Sequence, residues 1–318
     1  MQILSALKNI FIDRPALEMR FIDQLRFSPF LVQMVVTRRC NLKCGYCNEY
    51  DSTSEPVRID IIKSWIDKAV ELGVLSVEFT GGEPLLHPQI AEVIAYATEK
   101  NLQARMMISN GYLFTEEKIH QLNDAGLTHL QVSVDGVKPN ETTVKVLDPL
   151  REKLEMISRL KKFEVQLSGV IGAAPKDEVL EVIRFAKGHD FLPRVLILHD
   201  GEGEVSMSAE ELDAYREVKL LMGKRFAEAH NYRDVLINGD GAPYKCRAGS
   251  RYIYVDEFGL AARCSQRRKA WSKFFLDVTL NDMKENFYTV KPCNNHCTLG
   301  CSRTSSAYDE WRDQFIIE

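Results

Sequence analysis

The chain has 318 residues, 45% of them hydrophobic and 27% charged, with a net charge of −4 and no basic block. That length suits one large domain or two, with the balance of an ordinary globular protein. It argues against nucleic acid as a partner, and no apolar run is long enough to span a membrane.

Residues 1–29 carry a loose helical pattern (Leu4, Leu7, Ile10, Phe11, Leu17, Phe21, Leu25). Without a polar face rich in Lys and Arg, this reads as a helical cap on the core rather than a membrane-surface helix. The first residues bear charge within their apolar part and no small-residue cleavage site, so no signal peptide and a cytoplasmic location are expected.

From residue 30 short apolar runs alternate with longer amphipathic stretches. Strands are predicted at 30–36, 74–79, 103–109, 128–134, 163–171 and 194–198. Helices are predicted at 58–72, 88–100, 115–125, 142–161 and 176–188. Gly73, Gly126 and Gly188 fall where helices should stop, and Thr115 followed by two glutamates marks a helix start. Alternating strands and helices mean βαβ units and a parallel sheet. Six units rather than eight predict an incomplete, TIM-like (βα)6 barrel of α/β class.

Active sites in such barrels lie at the C-terminal ends of the strands. The polar clusters fall there in turn: Thr80-Gly81-Gly82-Glu83-Pro84, Ser109-Asn110-Gly111, Ser133-Val134-Asp135-Gly136, Ser168-Gly169 through Ile171-Gly172, and His199-Asp200-Gly201.

The end of the first strand carries Cys40, Cys44 and Cys47, with three and then two residues between them. Three thiols supply three ligands where a closed site takes four, so an iron–sulfur cluster held here keeps one open position. A structural zinc loop would draw ligand pairs from two segments; the nearest histidine is His87, so zinc is disfavoured. The other five cysteines, Cys246, Cys264, Cys293, Cys297 and Cys301, lie in the C-terminal part, and none lies between residues 48 and 245. This clustering points to metal sites rather than a disulfide scaffold.

The Cys-x3-Cys-x2-Cys spacing, with Tyr46 before the last cysteine, resembles the signature of the radical S-adenosylmethionine (SAM) superfamily. Gly81-Gly82-Glu83-Pro84 matches a second motif of that family. The resemblance implies a [4Fe–4S] cluster on Cys40, Cys44 and Cys47 whose open iron chelates SAM. It implies that Gly81, Gly82, Glu83 and Pro84 meet SAM's amino group, with the glycines admitting a close ligand. It implies that Ser133 and Asp135 meet the ribose, with Ser109, Asn110 and Ser168 as weaker contacts and Ile171 on the adenine side. It also implies a partial barrel over about residues 30–200.

Residues 202–240 read as a connector whose helix starts in a capping box, Ser208 with Glu211. From Arg251 the alternation predicts a hairpin, placing Cys246 and Cys264 at one end of it. Cys, a dozen residues, Gly, four residues, Cys resembles the opening of SPASM or twitch auxiliary-cluster modules. Five thiols can close one [4Fe–4S] cluster with one left over, and which of Cys293, Cys297 and Cys301 is spare stays open. Zinc in this extension is the alternative. The expected division is a cap at 1–29, barrel and connector at 30–240, and a cysteine-rich auxiliary domain at 241–318.

The function expected from these features is that of a radical SAM oxidoreductase. SAM is cleaved reductively to a 5′-deoxyadenosyl radical that takes hydrogen from a small-molecule or peptide substrate. An auxiliary cluster exchanges electrons, and an external one-electron donor such as flavodoxin or ferredoxin supplies the reductant. No leader-peptide domain fits before the first strand, which weighs against a peptide substrate. His199, Asp200 and Gln266 are the candidates nearest the substrate. The other class of function is a non-catalytic iron–sulfur or zinc carrier on this fold.

Overall fold

The computed structural model describes residues 23–309, apart from 25, 48–49, 200–204, 225–230, 240, 243 and 298. Most of the expected N-terminal cap lies outside the described residues, as does Asp200.

Six parallel strands and their crossover helices follow in strict alternation. They are β1 (Leu31–Thr37), α1 (Ile59–Glu71), β2 (Ser76–Gly81), α2 (Ile90–Glu99), β3 (Ala104–Ser109), α3 (Glu116–Ala125), β4 (His129–Ser133), α4 (Arg151–Leu160), β5 (Glu164–Ile171), α5 (Lys176–Gly188) and β6 (Leu192–Ile197). The connector helix α6 (Ala209–Met222) starts in the predicted capping box, and α7 (Asn231–Ile237) follows. The extension adds β7 (Tyr252–Val255), β8 (Leu260–Ala262), β9 (Ser272–Phe274), α8 (Leu280–Tyr288) and α9 (Gly300–Ala307).

All nine strands form one sheet in the order β6-β5-β4-β3-β2-β1-β7-β8-β9. The barrel is therefore partial, as expected. Its first strand pairs in parallel with β7, Leu31 opposite Tyr252, so the extension's hairpin prolongs the barrel wall. The turn between β7 and β8 is made at Gly259, with φ of +80°.

Side chains alternate across the wall. Val32, Met34 and Val36 of β1 pack outward into the main core with Ile62, Trp65 and Ile66 of α1. The inward layer is polar in its middle. Gln33 Nε2 donates to Glu78 Oε2 (2.6 Å), Tyr252 OH to Gln33 Oε1 (2.6 Å), and Arg194 Nη1 to Gln131 Oε1 (2.6 Å). Burial raises the Glu78 pKa, with Arg194 and Gln33 opposing.

Two local expectations are corrected. The helix predicted at 142–161 begins only at Arg151; residues 140–147 form a loop whose backbone bonds go elsewhere, Asp135 N–H to Lys145 O and Gly45 N–H to Thr142 O. Pro149 sits in the short 3-10 turn ahead of α4, where its fixed φ suits a helix start and not an interior. Gly73 and Gly126 do take positive φ after α1 and α3, but Gly188 is the last residue of α5 and Asp190 makes the left-handed turn.

Candidate functional site

The loop after β1 is closed on itself, Cys40 N–H to Asp51 O (3.0 Å) and Asp51 N–H to Arg38 O (2.8 Å). It docks on the loop after β4. Gly45 donates to Thr142 O at 2.9 Å, and a side-chain carbon at Gly45 would stand 2.6 Å from Glu141 O, so that position requires glycine. Tyr46 OH donates to Asp135 Oδ2 (2.7 Å), and Thr143 Oγ1, 4.0 Å from Cys44 Sγ, donates to the same oxygen at 2.7 Å.

Cys40, Cys44 and Cys47 open onto one cavity, with Thr80, Gly81, Gly82, Ser109, Asn110, Ser133 and Lys145 also lining it. Cys40 Sγ receives Leu42 N–H (3.4 Å) and Asn110 Nδ2 (3.7 Å). Burial raises the pKa of Cys40 and Cys47; at Cys47, Lys145 works against it. His87 is engaged elsewhere: Nδ1 accepts from Gln89 N–H, so Nε2 carries the proton and donates to Val57 O at 2.7 Å. A cavity furnished with three thiols and polar strand ends fits an iron–sulfur cluster with one position left for SAM.

The Gly-Gly turn lines the cavity and has a further reason in the backbone behind it. Side-chain carbons on Gly81 and Gly82 would run into the carbonyls of Thr37, Arg38 and Arg39, the segment leading into Cys40. Gly82 and Glu83 donate to Thr37 O (2.8 Å) and Arg39 O (2.9 Å). The close approach is thus between backbone and backbone, and it ties the ends of β1 and β2 together.

Glu83 is fully buried and does not itself line the cavity. Oε1 accepts from Leu85 N–H (3.0 Å) and Ser109 Oγ (2.9 Å), Oε2 from Asn110 N–H (2.7 Å). Burial raises its pKa and those bonds oppose the shift. Glu83 therefore holds Ser109 and Asn110 at the cavity, while Pro84 opens the 3-10 turn behind it.

Asp135 is buried beneath the cysteine loop and does not line the cavity, whereas Ser133 does. Asp135 Oδ1 has no hydrogen-bond partner, while Lys145 Nζ stands 3.5 Å from Oδ2. Ser168 is buried and bonds Val132 O at 3.4 Å. Ile171 faces outward among Leu180 and Val195, and its carbonyl accepts from Leu198 N–H (2.9 Å). Neither Ser168 nor Ile171 lines the cavity. His199 is half-buried after β6, and Gln266 Oε1 is buried without a hydrogen bond beside the Cys264 turn.

Lys145 is the charged cavity residue that sequence reasoning missed. It fell inside the stretch read as helix, although Thr142, Thr143 and Pro149 break that pattern. Burial works against its charge, but the Asp135 carboxylate and Tyr46 outweigh burial and hold its pKa above the ordinary value.

In the extension, burial pushes Cys264 up to about 11, with Cys246 and Cys293 adding to the shift. Burial pushes Cys297 up to about 12, with Cys246, Cys264 and Cys293 contributing. These four thiols thus lie within electrostatic reach of one another. Cys301 packs in the same apolar cluster as Cys246 and Cys264, but it has a barrel partner: burial and then Glu78 push it up to about 12, opposed by Arg194 of the barrel's inner layer, which hydrogen-bonds it.

The family model of the Radical SAM superfamily matches residues 34–202, more than half of the chain. The chain belongs to that superfamily, whose members use a [4Fe–4S] cluster and SAM. It is 31% identical over 145 residues to a PqqA peptide cyclase of Bradyrhizobium diazoefficiens, covering 44% of this chain and 38% of that one. It is 30% identical over 178 residues to a GTP 3',8-cyclase of Helicobacter pylori, covering 53% of each. The chain thus spans about half the length, or less, of these relatives. Two solved structures share the fold. Streptococcus suis SuiB bound to SAM superposes with a TM-score of 0.61 at 14% identity over 82% of this chain and 64% of that one. anSMEcpe with bound AdoMet and a peptide gives 0.57 at 18% identity over 86% and 89%. No helix among the described residues is long and apolar enough to cross a membrane.

Proposed function

We propose that this chain is a radical SAM oxidoreductase with one auxiliary cluster, acting on a peptide or small molecule. One observation carries the reading: the three closely spaced thiols and the Gly-Gly turn line the same cavity at the barrel's C-terminal pole. Cys40, Cys44 and Cys47 would hold the catalytic cluster. When bound, that cluster and SAM supply a 5′-deoxyadenosyl radical able to take a hydrogen atom from substrate.

The protein's own residues position these groups. The Gly81-Gly82 turn fixes the exit of β1, Glu83 orients Ser109 and Asn110, and Ser133 offers a hydroxyl to the cavity. Asp135 is reassigned from a ribose contact to the anchor of the cysteine loop. The electrostatic coupling of Cys246, Cys264, Cys293 and Cys297 supports these four as auxiliary ligands, with Cys301, hydrogen-bonded by Arg194, as the spare thiol. Four thiolates would close that cluster. It would then exchange electrons and leave the SAM site to the first. An external one-electron donor is required. Residues 30–240 and 241–318 are proposed as the barrel with connector and the auxiliary domain.

A peptide substrate is favoured by similarity to the PqqA peptide cyclase and by the fold shared with SuiB, which has been solved bound to its precursor peptide SuiA. His199, Asp200 and Gln266 remain the proposed substrate-side residues.

The test is anaerobic reconstitution with iron and sulfide, then incubation with SAM and dithionite. Formation of 5′-deoxyadenosine is expected, and it should disappear in the triple Cys40/Cys44/Cys47→Ala variant. A cluster-loaded protein that forms none would instead be a carrier.

A further inference from the structure

We propose that Lys145 sets the reduction potential of the cluster held by Cys40, Cys44 and Cys47, its ammonium favouring the reduced state. This deepens the function proposed above and rests on it.

Three thiolates and a cubane core already make a negative unit. Reduction passes one electron from the donor to the cluster, adding a negative charge with no bond made or broken. A fixed cation nearby stabilises the reduced form more than the oxidised one and so raises the potential; charge and hydrogen bonds to sulfur are among the levers that set it. The effect is strong where water is excluded.

Lys145 is placed for this role. It lines the same cavity as the three thiols. Its backbone is fixed on both sides, N–H to Thr143 Oγ1 at 3.1 Å and carbonyl from Asp135 N–H at 2.8 Å. Its Nζ lies 4.8 Å from the centre of the Tyr46 ring and 3.5 Å from Asp135 Oδ2. Lys145 lines the cavity and Asp135 does not, and the Lys145 charge reaches Cys47, where it opposes the effect of burial.

The other nearby charges are already committed. Arg38 forms an ion pair with Glu257 at 2.7 Å and donates to Tyr254 at 3.1 Å, and does not line the cavity. Glu83 is surrounded by its three donors. Asp135 offsets part of the lysine's field and keeps the ammonium in place. Removing each partner should therefore move the potential in opposite directions.

The experiment is an anaerobic redox titration of reconstituted full-length protein, followed by electron paramagnetic resonance. The signal titrated is the one that changes when SAM is added, which separates this cluster from an auxiliary one. Lys145→Met should lower the midpoint, Lys145→Arg should keep it near wild type, and Asp135→Asn should raise it. An unchanged midpoint in Lys145→Met overturns the proposal. Equal displacement in Lys145→Met and Lys145→Arg also overturns it, since packing rather than charge would then be responsible. Should Lys145→Met take up no iron, Asp135→Asn decides: a midpoint unchanged or lowered overturns the proposal. If no wild-type signal responds to SAM, the function proposed above fails; if one responds and the variants do not shift it, only the role of Lys145 fails.

Discussion

Tyr46 donates its hydroxyl hydrogen to Asp135 Oδ2 at 2.7 Å, joining the loop after β1 to the loop after β4 across the mouth of the barrel. The bond spans 89 positions of sequence and brings a residue between two of the three thiols onto a carboxylate that is itself held by Thr143. Cluster-loop geometry is thus set by contacts from outside the loop.

Tyr46→Phe should keep the fold and weaken the loop. Asp135 Oδ2 would retain Thr143 and Lys145, so the loss is one hydrogen bond to a charged acceptor, about 1.5–3 kcal/mol. Circular dichroism should be unchanged, while chelators should strip iron from the reconstituted variant faster. Wild-type iron retention would show that the bond does not hold the loop.

Gly82→Ala should be far more damaging than its size suggests. The added methyl would strike the Arg38 and Arg39 carbonyls, which are backbone atoms and cannot turn aside. The exit of β1 must then move away from β2, and Cys40 moves with it. Iron bound after reconstitution should fall well below wild type while the helical spectrum survives. Full iron uptake would show that the segment can yield.

Much of this architecture was legible because each strand sets apolar residues at alternate positions against the helices, a local pattern that needs no partner to be recognised. The six barrel strands lie within about two residues of their expected positions for that reason. What was not legible depends on distant partners. The β-branched run Thr142, Thr143, Val144 and Val146 is a weak helix former, and bonding to Asp135 and Gly45 fixes these residues as a loop. Glu83 and Asp135 look like cavity residues at strand ends, yet donors from the loops after other strands, Asn110 and Tyr46, occupy both. The parallel pairing of β7 with β1 and the pairing of Cys301 with Arg194 join residues over a hundred positions apart, beyond any local pattern.

Asp282 carries a pH dependence that can be checked without a cofactor. It accepts from Thr279 N–H and Lys273 Nζ, both at 2.7 Å, in the capping box of α8. Burial opposes its charge, but Lys273 and Thr279 outweigh burial and hold its carboxyl below the ordinary range. A depressed folded pKa gives stability that is present above the unfolded value and lost as pH falls through the folded one. Asp282→Asn should therefore cost about 1 kcal/mol near neutral pH, and the difference from wild type should vanish on acidification below the folded pKa. Denaturant unfolding at several pH values measures it; a constant difference would remove the charge from the explanation.

The cysteines of the extension give the last prediction. Wild-type protein reconstituted without oxygen should hold about eight irons, as two cubane clusters of four. The triple Cys40/Cys44/Cys47→Ala variant should keep about four. Cys297→Ser should lose the auxiliary iron, because Cys246, Cys264 and Cys293 then offer three thiols where a closed cluster takes four. Cys301→Ser should keep it, since that thiol, though packed near Cys246 and Cys264, is hydrogen-bonded by Arg194 of the barrel. The residual cluster of the triple variant, lacking an open iron, should show no spectral change with SAM. Iron lost equally from Cys297→Ser and Cys301→Ser would return Cys301 to the ligand set and require it to leave Arg194. Zinc in place of iron in the triple variant would make the extension a zinc-bound lid, with the barrel site unaffected.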